Sequence, residues 1–275
     1  MESKMIFLDL DGTLLDDEKN VPKVNREAID AALALGHKVL ICSGRALDSV
    51  KKQIPVLGLD KPGCYAIGYN GGLIYDIGEK KVLYKKTLSM EQVRYVFQKA
   101  RQYGGIHIQT YTEEGFICEC DTKESRDYEW VTKSKRKVVA DVCEELRGQE
   151  PCKMLAIAYE YDRKRIEGFQ NSLLEWAKGK MDICFSCYEY LEFVPEGISK
   201  GNAIRWMSDF LKIPMENTIA VGDAENDISM IKAAAVGAVM KNASDMMKRY
   251  GDYITKNDNN EGGVAEVIRK FMLEE

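Results

Sequence analysis

The sequence predicts an α/β fold, a doubly wound parallel sheet interrupted by an inserted α+β unit. Three observations carry this. Apolar runs at 5–10, 38–42 and 64–69 do not alternate with polar residues, as expected of strands covered on both faces. Segments with helical periodicity separate them, which is the rhythm of βαβ units. Between about 83 and 191 that rhythm gives way to short alternating strands, and it returns at Lys200.

In chain order, a strand at 5–10 leads to a helix opening at Pro22, with Val24, Ala28, Ile29, Ala32 and Leu35 on one face. Gly36 ends that helix. A strand at 38–42, a helix at 46–56 and a strand at 64–69 follow, the last running into Asn70-Gly71-Gly72. Residues 73–86 read as a hairpin turning at Gly78-Glu79. In the inserted unit, Ser89 and Gln92 form a capping-box signal before a helix that reaches about Tyr103. Strands are expected at 106–111, 115–119, 154–159, 181–186 and 190–194, with helices at 138–146 and 162–177. The last stretch reads as a helix at 202–211, a strand at 218–221, a helix, a strand at 236–240, a short helix at 244–250, a brief strand at 253–254 and a helix at 264–271. The expected division is a core of residues 1–82 and 192–275 around an insertion of residues 83–191. Two chain crossings at that boundary suit a lid that moves against the core.

The bulk numbers narrow the function. With 275 residues, one large domain or two are accommodated. A net charge of -5 argues against a general nucleic-acid binder, which needs a basic footprint. No apolar stretch reaches the roughly 20 residues needed to span a bilayer. The N-terminus does not read as a signal peptide. Eight cysteines and two histidines include a C-x-C at Cys118 and Cys120 and a C-x-x-C at Cys184 and Cys187. Reduced packing cysteines of a cytoplasmic protein suit these better than a zinc or redox site.

Ligands of open α/β sheets bind beyond the carboxyl ends of the strands, so the residues at those ends matter most. They are Asp9, Asp11, Gly12 and Thr13; Ser43, Gly44 and Arg45; Asn70; and Asp223, Asn226 and Asp227. Two carboxylates at the end of a buried strand are costly unless a cation joins them. Asp9, Asp11 and Asp223 are hard oxygen ligands suited to Mg²⁺. Ser43 at a helix start, Asn70 beside glycines, and Lys200 supply donors for an anion. Each also has a plainer reading: Ser43 as a helix cap, Asn70-Gly71 as a turn, Lys200 as a surface charge, Asp223 as a cap. Their recurrence at equivalent strand ends is what favours a phosphate site.

These motifs resemble the haloacid dehalogenase superfamily of phosphohydrolases along the whole chain. Asp9-Leu10-Asp11-Gly12-Thr13-Leu14-Leu15 is similar to its first motif, Ser43-Gly44-Arg45 to the second, and Lys200-Gly201 to the third. Gly222-Asp223-Ala224-Glu225-Asn226-Asp227 is similar to the fourth. The insertion resembles the α+β cap, type IIB, of the Cof-like branch, and the tail at 255–264 looks like that branch too. The resemblance implies a Rossmann-like core and a cap that closes over it. It further implies an Mg²⁺-dependent phosphatase working through an aspartyl phosphate. Asp9 would be the nucleophile and Asp11 the acid and base. Mg²⁺ would be held by Asp9, Asp223 and the main-chain carbonyl of Asp11. Lys200, Ser43, Gly44, Asn70 and Asn226 would hold phosphate, with Gly12, Thr13, Arg45 and Asp227 in support.

A phosphomutase of the same fold and a catalytically silent phosphometabolite sensor are the competing expectations. The implied substrate is a small phosphorylated metabolite such as a sugar phosphate, flavin mononucleotide or pyridoxal phosphate. No nucleic-acid or membrane partner is expected, and the protein is expected to be a monomer or weak homodimer. Tyr111, Phe116, Tyr128, Trp130, Tyr188 and Tyr190, with Glu189 and Glu192, are available in the insertion, where aromatic residues are more often core than pocket.

Overall fold

The structure, a computed structural model, describes residues 2–112 and 114–273. Its chain divides into two compact units. One comprises Met1–Arg45, Val50–Tyr84 and Ser199–Glu275; the other comprises Lys85–Ile198 together with Ala46–Ser49.

The first unit opens with β1 (Met5–Leu8), α1 (Lys23–Ala34), β2 (Lys38–Cys42), α2 (Leu47–Leu57), β3 (Cys64–Gly68), β4 (Leu73–Asp76) and β5 (Lys81–Lys85). The second contains α3 (Met90–Tyr103), β6 (Ile106–Thr112), β7 (Gly115–Cys118), α4 (Lys123–Thr132), β8 (Arg136–Val138), α5 (Val142–Leu146), β9 (Met154–Ala158), α6 (Arg163–Ala177), β10 (Met181–Phe185) and β11 (Leu191–Pro195). The first unit resumes with α7 (Lys200–Leu211), β12 (Thr218–Gly222), α8 (Ile228–Ala233), β13 (Val236–Val239), α9 (Asp245–Lys248), β14 (Tyr253–Ile254) and α10 (Gly263–Phe271).

The first unit's sheet runs β14-β13-β12-β1-β2-β3-β4-β5. It is parallel from β14 to β3, and β4 pairs antiparallel with β3. All four residues of β1 are buried. Met5 and Phe7 pack with Ile204 and Met207 of α7 and with Met230 and Ile231 of α8. Ile6 and Leu8 project to the opposite face and are equally buried. This two-sided burial explains why β1 reads as continuous apolar sequence. Leu8 stands level with Ile41 of β2 on one side and Val221 of β12 on the other. Chain order reverses at β1, so the residues after these three strands share the crevice where such sheets bind ligands.

The second sheet runs β10-β11-β9-β6-β7-β8, antiparallel except for the parallel β7–β8 pair. Its hydrophobic core joins Val96, Phe97 and Phe169 from α3 and α6 to Ile106, Met154, Leu191 and Phe193. The Ser89 capping box forms: Gln92 N–H donates to Ser89 Oγ at 3.3 Å, and Ser89 N–H donates to Gln92 Oε1 at 2.7 Å.

Four expectations need correction. The helix expected at 138–146 is instead β8, paired to β7 with Phe116 level with Arg136, followed by the shorter α5 capped by Asp141. Helix α4 was not anticipated; it buries Glu124, Ser125 and Tyr128 and so lacks an apolar stripe. Leu35 lies beyond the end of α1 and is 49% exposed, not on its buried face. Residues 192–195 belong to the second unit because β11 pairs with β9 and β10, which moves the boundary from 192 to Ser199.

Candidate active site at the strand ends of the first unit

β1 delivers Asp9 to the crevice, 7% exposed. Lys200, the first residue of α7, is buried rather than solvated: its Nζ donates to Asp9 Oδ1 at 2.6 Å and to Asp227 Oδ1 at 2.5 Å. Ser199 caps that helix by accepting from Asn202 N–H, which fixes where Lys200 begins. Asp227 ends a short 3-10 turn, Glu225–Asp227, and its Oδ2 accepts the backbone N–H groups of Asp223 and Ala224 at 3.0 Å each. Asn226 lies half-buried in the same turn.

Asp223 follows β12. Its Oδ1 accepts from Thr13 Oγ1 at 2.7 Å, binding the segment after β1 to the segment after β12. Gly12 lies against the same carboxylate with φ +78°, and a Cβ there would stand 2.6 Å from Asp223 Oδ2. Only glycine combines that backbone angle with that approach. Carboxylate oxygens of Asp9, Asp223 and Asp227 all fall within 4.8 Å of one another.

Electrostatics follow from this crowding. Burial pushes the Asp9 carboxyl up to about 8; Lys200 opposes the shift, while Asp227 and Asp223 add to it. Burial likewise pushes Asp223 up to about 6, against its bond from Thr13 and with repulsion from Asp227. Burial works against the Lys200 ammonium, but Asp227 and Asp9 outweigh it and raise its pKa. With all three carboxyls ionised against one ammonium, the site would carry two uncompensated negative charges; burial and this excess together are why the carboxyls of Asp9 and Asp223 are raised. An all-oxygen set with that excess fits a hard divalent cation. Asp227 already spends its oxygens on Lys200 and two backbone amides, so Asp9 and Asp223 are the better placed ligands.

Asp11 occupies a different setting. Arg45 grips it through Nε to Oδ2 at 2.9 Å and Nη2 to Oδ1 at 2.7 Å, and Lys19 Nζ reaches Oδ1 at 2.9 Å. Burial opposes its charge, but Arg45 and Lys19 prevail and hold its carboxyl below the ordinary value. Lys19 carries no motif signal; the turn at 16–20, closed by Asp16 N–H to Asn20 O at 2.8 Å, brings it there.

Ser43, Gly44 and Asn70 form the third side. Ser43 is buried and its Oγ accepts Arg45 N–H at 3.2 Å, so it does shape the turn. Asn70 N–H donates to Ser43 O at 3.1 Å, and Tyr69 N–H donates to Arg45 O at 3.0 Å. The two loops are thereby zipped together, and a Cβ on Gly44 would stand 2.9 Å from Asn70 Oδ1. Asn70 itself sits at φ 56°, in the left-handed region that asparagine tolerates.

In the inserted unit, Tyr111, Phe116 and Tyr128 are buried and Glu192 pairs with buried Lys153, whereas Trp130 and Tyr188 are exposed. Among the described residues no helix is long and apolar enough to cross a membrane.

Comparison with known proteins shows the family. The sequence model of the haloacid dehalogenase-like hydrolases matches residues 6–268. A Streptococcus pyogenes protein carrying a provisional phosphatase name is 31% identical over 273 residues, 99% of this chain and 100% of its own. The 5-amino-6-(5-phospho-D-ribitylamino)uracil phosphatase YcsE of Bacillus subtilis is 30% identical, covering 99% of this chain and 97% of its own. The crystal structure of a haloacid dehalogenase-like hydrolase from Bacteroides thetaiotaomicron superposes with a TM-score of 0.88 at 29% identity, over 98% of this chain and 99% of that one. The chain belongs to the haloacid dehalogenase-like hydrolase family.

Proposed function

We propose that the protein is an Mg²⁺-dependent phosphatase of small phosphorylated metabolites that works through an aspartyl phosphate on Asp9. The observation that carries this reading is the contact of Lys200 with both Asp9 and Asp227, beside Asp223. A carboxylate approaching a phosphate dianion is repelled unless cations offset the charge. Asp9 and Asp223, with the main-chain carbonyl of Asp11, are the groups that would hold Mg²⁺. When bound there, the ion supplies positive charge against the phosphoryl oxygens.

In this reading an Asp9 carboxylate oxygen bonds to phosphorus as the ester oxygen leaves. Lys200 favours the ionised form of Asp9 against the effect of burial and faces the phosphoryl group. Ser43, Gly44, Asn70 and Asn226 hold the phosphoryl oxygens. Asp11 gives a proton to the departing alcohol, then takes one from the water that attacks phosphorus and releases Asp9. Arg45 and Lys19 oppose protonation of Asp11, so incoming phosphate oxygens that draw them away leave Asp11 able to carry that proton. The inserted unit serves as the substrate-selecting cap.

The ribityl phosphate in the name of the Bacillus subtilis relative supports an open-chain or sugar-like leaving group. Flavin mononucleotide and pyridoxal phosphate share the accessible phosphomonoester. Reduced cysteines fit a cytoplasmic setting. The test is phosphate release from a panel of sugar phosphates, flavin mononucleotide and pyridoxal phosphate, with and without Mg²⁺. Release that requires the ion supports the reading; no release from any compound rejects it.

A further inference from the structure

The segment between β14 and α10 holds the chain that follows β1 by side-chain hydrogen bonds. Asn259, 4% exposed, is the hub. Its Nδ2 donates to Leu15 O at 3.1 Å and to Asp17 Oδ1 at 3.0 Å. Its backbone N–H donates to Asn242 Oδ1 at 3.3 Å, and Asn242 Nδ2 donates in turn to Gly12 O at 2.8 Å. Asn260 completes the strap, accepting Asp17 N–H at 3.0 Å and donating to Asp17 Oδ2 at 3.2 Å. Gly12, Leu15 and Asp17 are therefore each fixed from outside the loop.

Two side chains from this loop reach the site: Thr13 to Asp223, and Lys19 to Asp11. Asn259 bonds to neither carboxylate. We propose that Asn259 is a positioning residue, holding residues 12–19 so that Thr13 and Lys19 reach their partners; this rests on the phosphatase reading. The residue type matters because both Nδ2 contacts are acceptors, a carbonyl and a carboxylate. An aspartate of the same shape would set oxygen against oxygen and charge against Asp17. Changing Asp17 to asparagine would remove that repulsion and return one donor.

The test compares the full-length wild type with Asn259→Asp, with Asn259→Asp/Asp17→Asn, and with Ala32→Gly as a variant destabilised away from the site. For p-nitrophenyl phosphate with Mg²⁺, Asn259→Asp should lower kcat by about tenfold and leave KM within about twofold. The double variant should recover to within about threefold of wild type. Ala32→Gly should keep its kcat. In metal-free protein, amide exchange at Leu14 and Leu15 should speed by about tenfold in Asn259→Asp. Wild-type kcat and exchange in Asn259→Asp, or a double variant no better than the single, overturns the proposal. A wild type that hydrolyses no phosphomonoester rejects the phosphatase reading instead, and exchange alone then decides: faster supports positioning, unchanged overturns it. Should Asn259→Asp fail to fold, Asn242→Ala, which removes the donor to Gly12 O from an exposed position, is read by the same measurements.

Discussion

Lys200 Nζ lies 2.5 Å from Asp227 Oδ1, and both side chains are fully buried. Asp227 therefore does two things at once. One oxygen holds the ammonium that touches Asp9, and the other holds the backbone that presents Asp223. Asp227→Ala should cost about 3–5 kcal/mol of folding stability, because it leaves a buried ammonium with one counter-charge. Asp227→Asn keeps an acceptor for the backbone amides and should cost less, while still lowering turnover. Denaturant unfolding and phosphate release check both; an alanine variant as stable as wild type would contradict the pairing.

Metal binding should depend on pH in a defined window. Both carboxyls proposed as ligands are raised in the folded, metal-free protein, Asp223 to about 6 and Asp9 to about 8. A raised carboxyl keeps its proton in the folded state over a pH range where the unfolded chain has released it. Within that range and below it an ion must displace those protons. The increase in Tm produced by Mg²⁺ should thus be small at pH 5, grow as pH passes 6 and 8, and level off above. Thermal melts with and without the ion across pH 5–9 test this, and an increase independent of pH would contradict it.

Gly12 marks where backbone and carboxylate come closest. Gly12→Ala must accept φ +78° and a Cβ 2.6 Å from Asp223 Oδ2. Displacement of Asp223 should lower Mg²⁺-dependent turnover by about a hundredfold. The strained backbone angle should also cost about 1–2 kcal/mol. Unimpaired turnover would show that Asp223 need not sit where Gly12 leaves room for it.

The inserted unit offers a stability test of its own. Lys153 Nζ and Glu192 Oε1 are 2.8 Å apart, with side chains 3% and 4% exposed. Lys153→Met strands a buried carboxylate and should cost about 3–5 kcal/mol, whereas Lys153→Met/Glu192→Leu should recover most of that loss. Calorimetric unfolding of both variants decides it. A double variant no more stable than the single would mean that Lys153 acts through contacts other than Glu192.

The places where sequence succeeded and failed have physical causes. The placement of Asp9, Ser43 and Asp223 just beyond β1, β2 and β12 is legible in the sequence because continuous apolar runs end immediately before them, and parallel strands deliver their ends to one edge. Lys200 alone reads as a surface charge; its burial depends on Asp9 and Asp227, which lie 191 and 27 residues away in the chain. The grip of Arg45 and Lys19 on Asp11 was not readable, because a turn and a loop from separate stretches set its distances. Helix α4 shows no apolar stripe in the sequence because two of its three buried residues, Glu124 and Ser125, are polar. Arg136–Val138 is too short to show a strand period, and its pairing with β7 decides its structure.

The most direct measurement of the central proposal is to quench turnover with acid and map the peptide that carries phosphoryl. The label is expected on Asp9 when Mg²⁺ and substrate are present, and absent from Asp9→Asn, which should also lose phosphate release while remaining folded. Sustained phosphate release with no phosphoryl ever found on Asp9, or near wild-type turnover by Asp9→Asn, would contradict it.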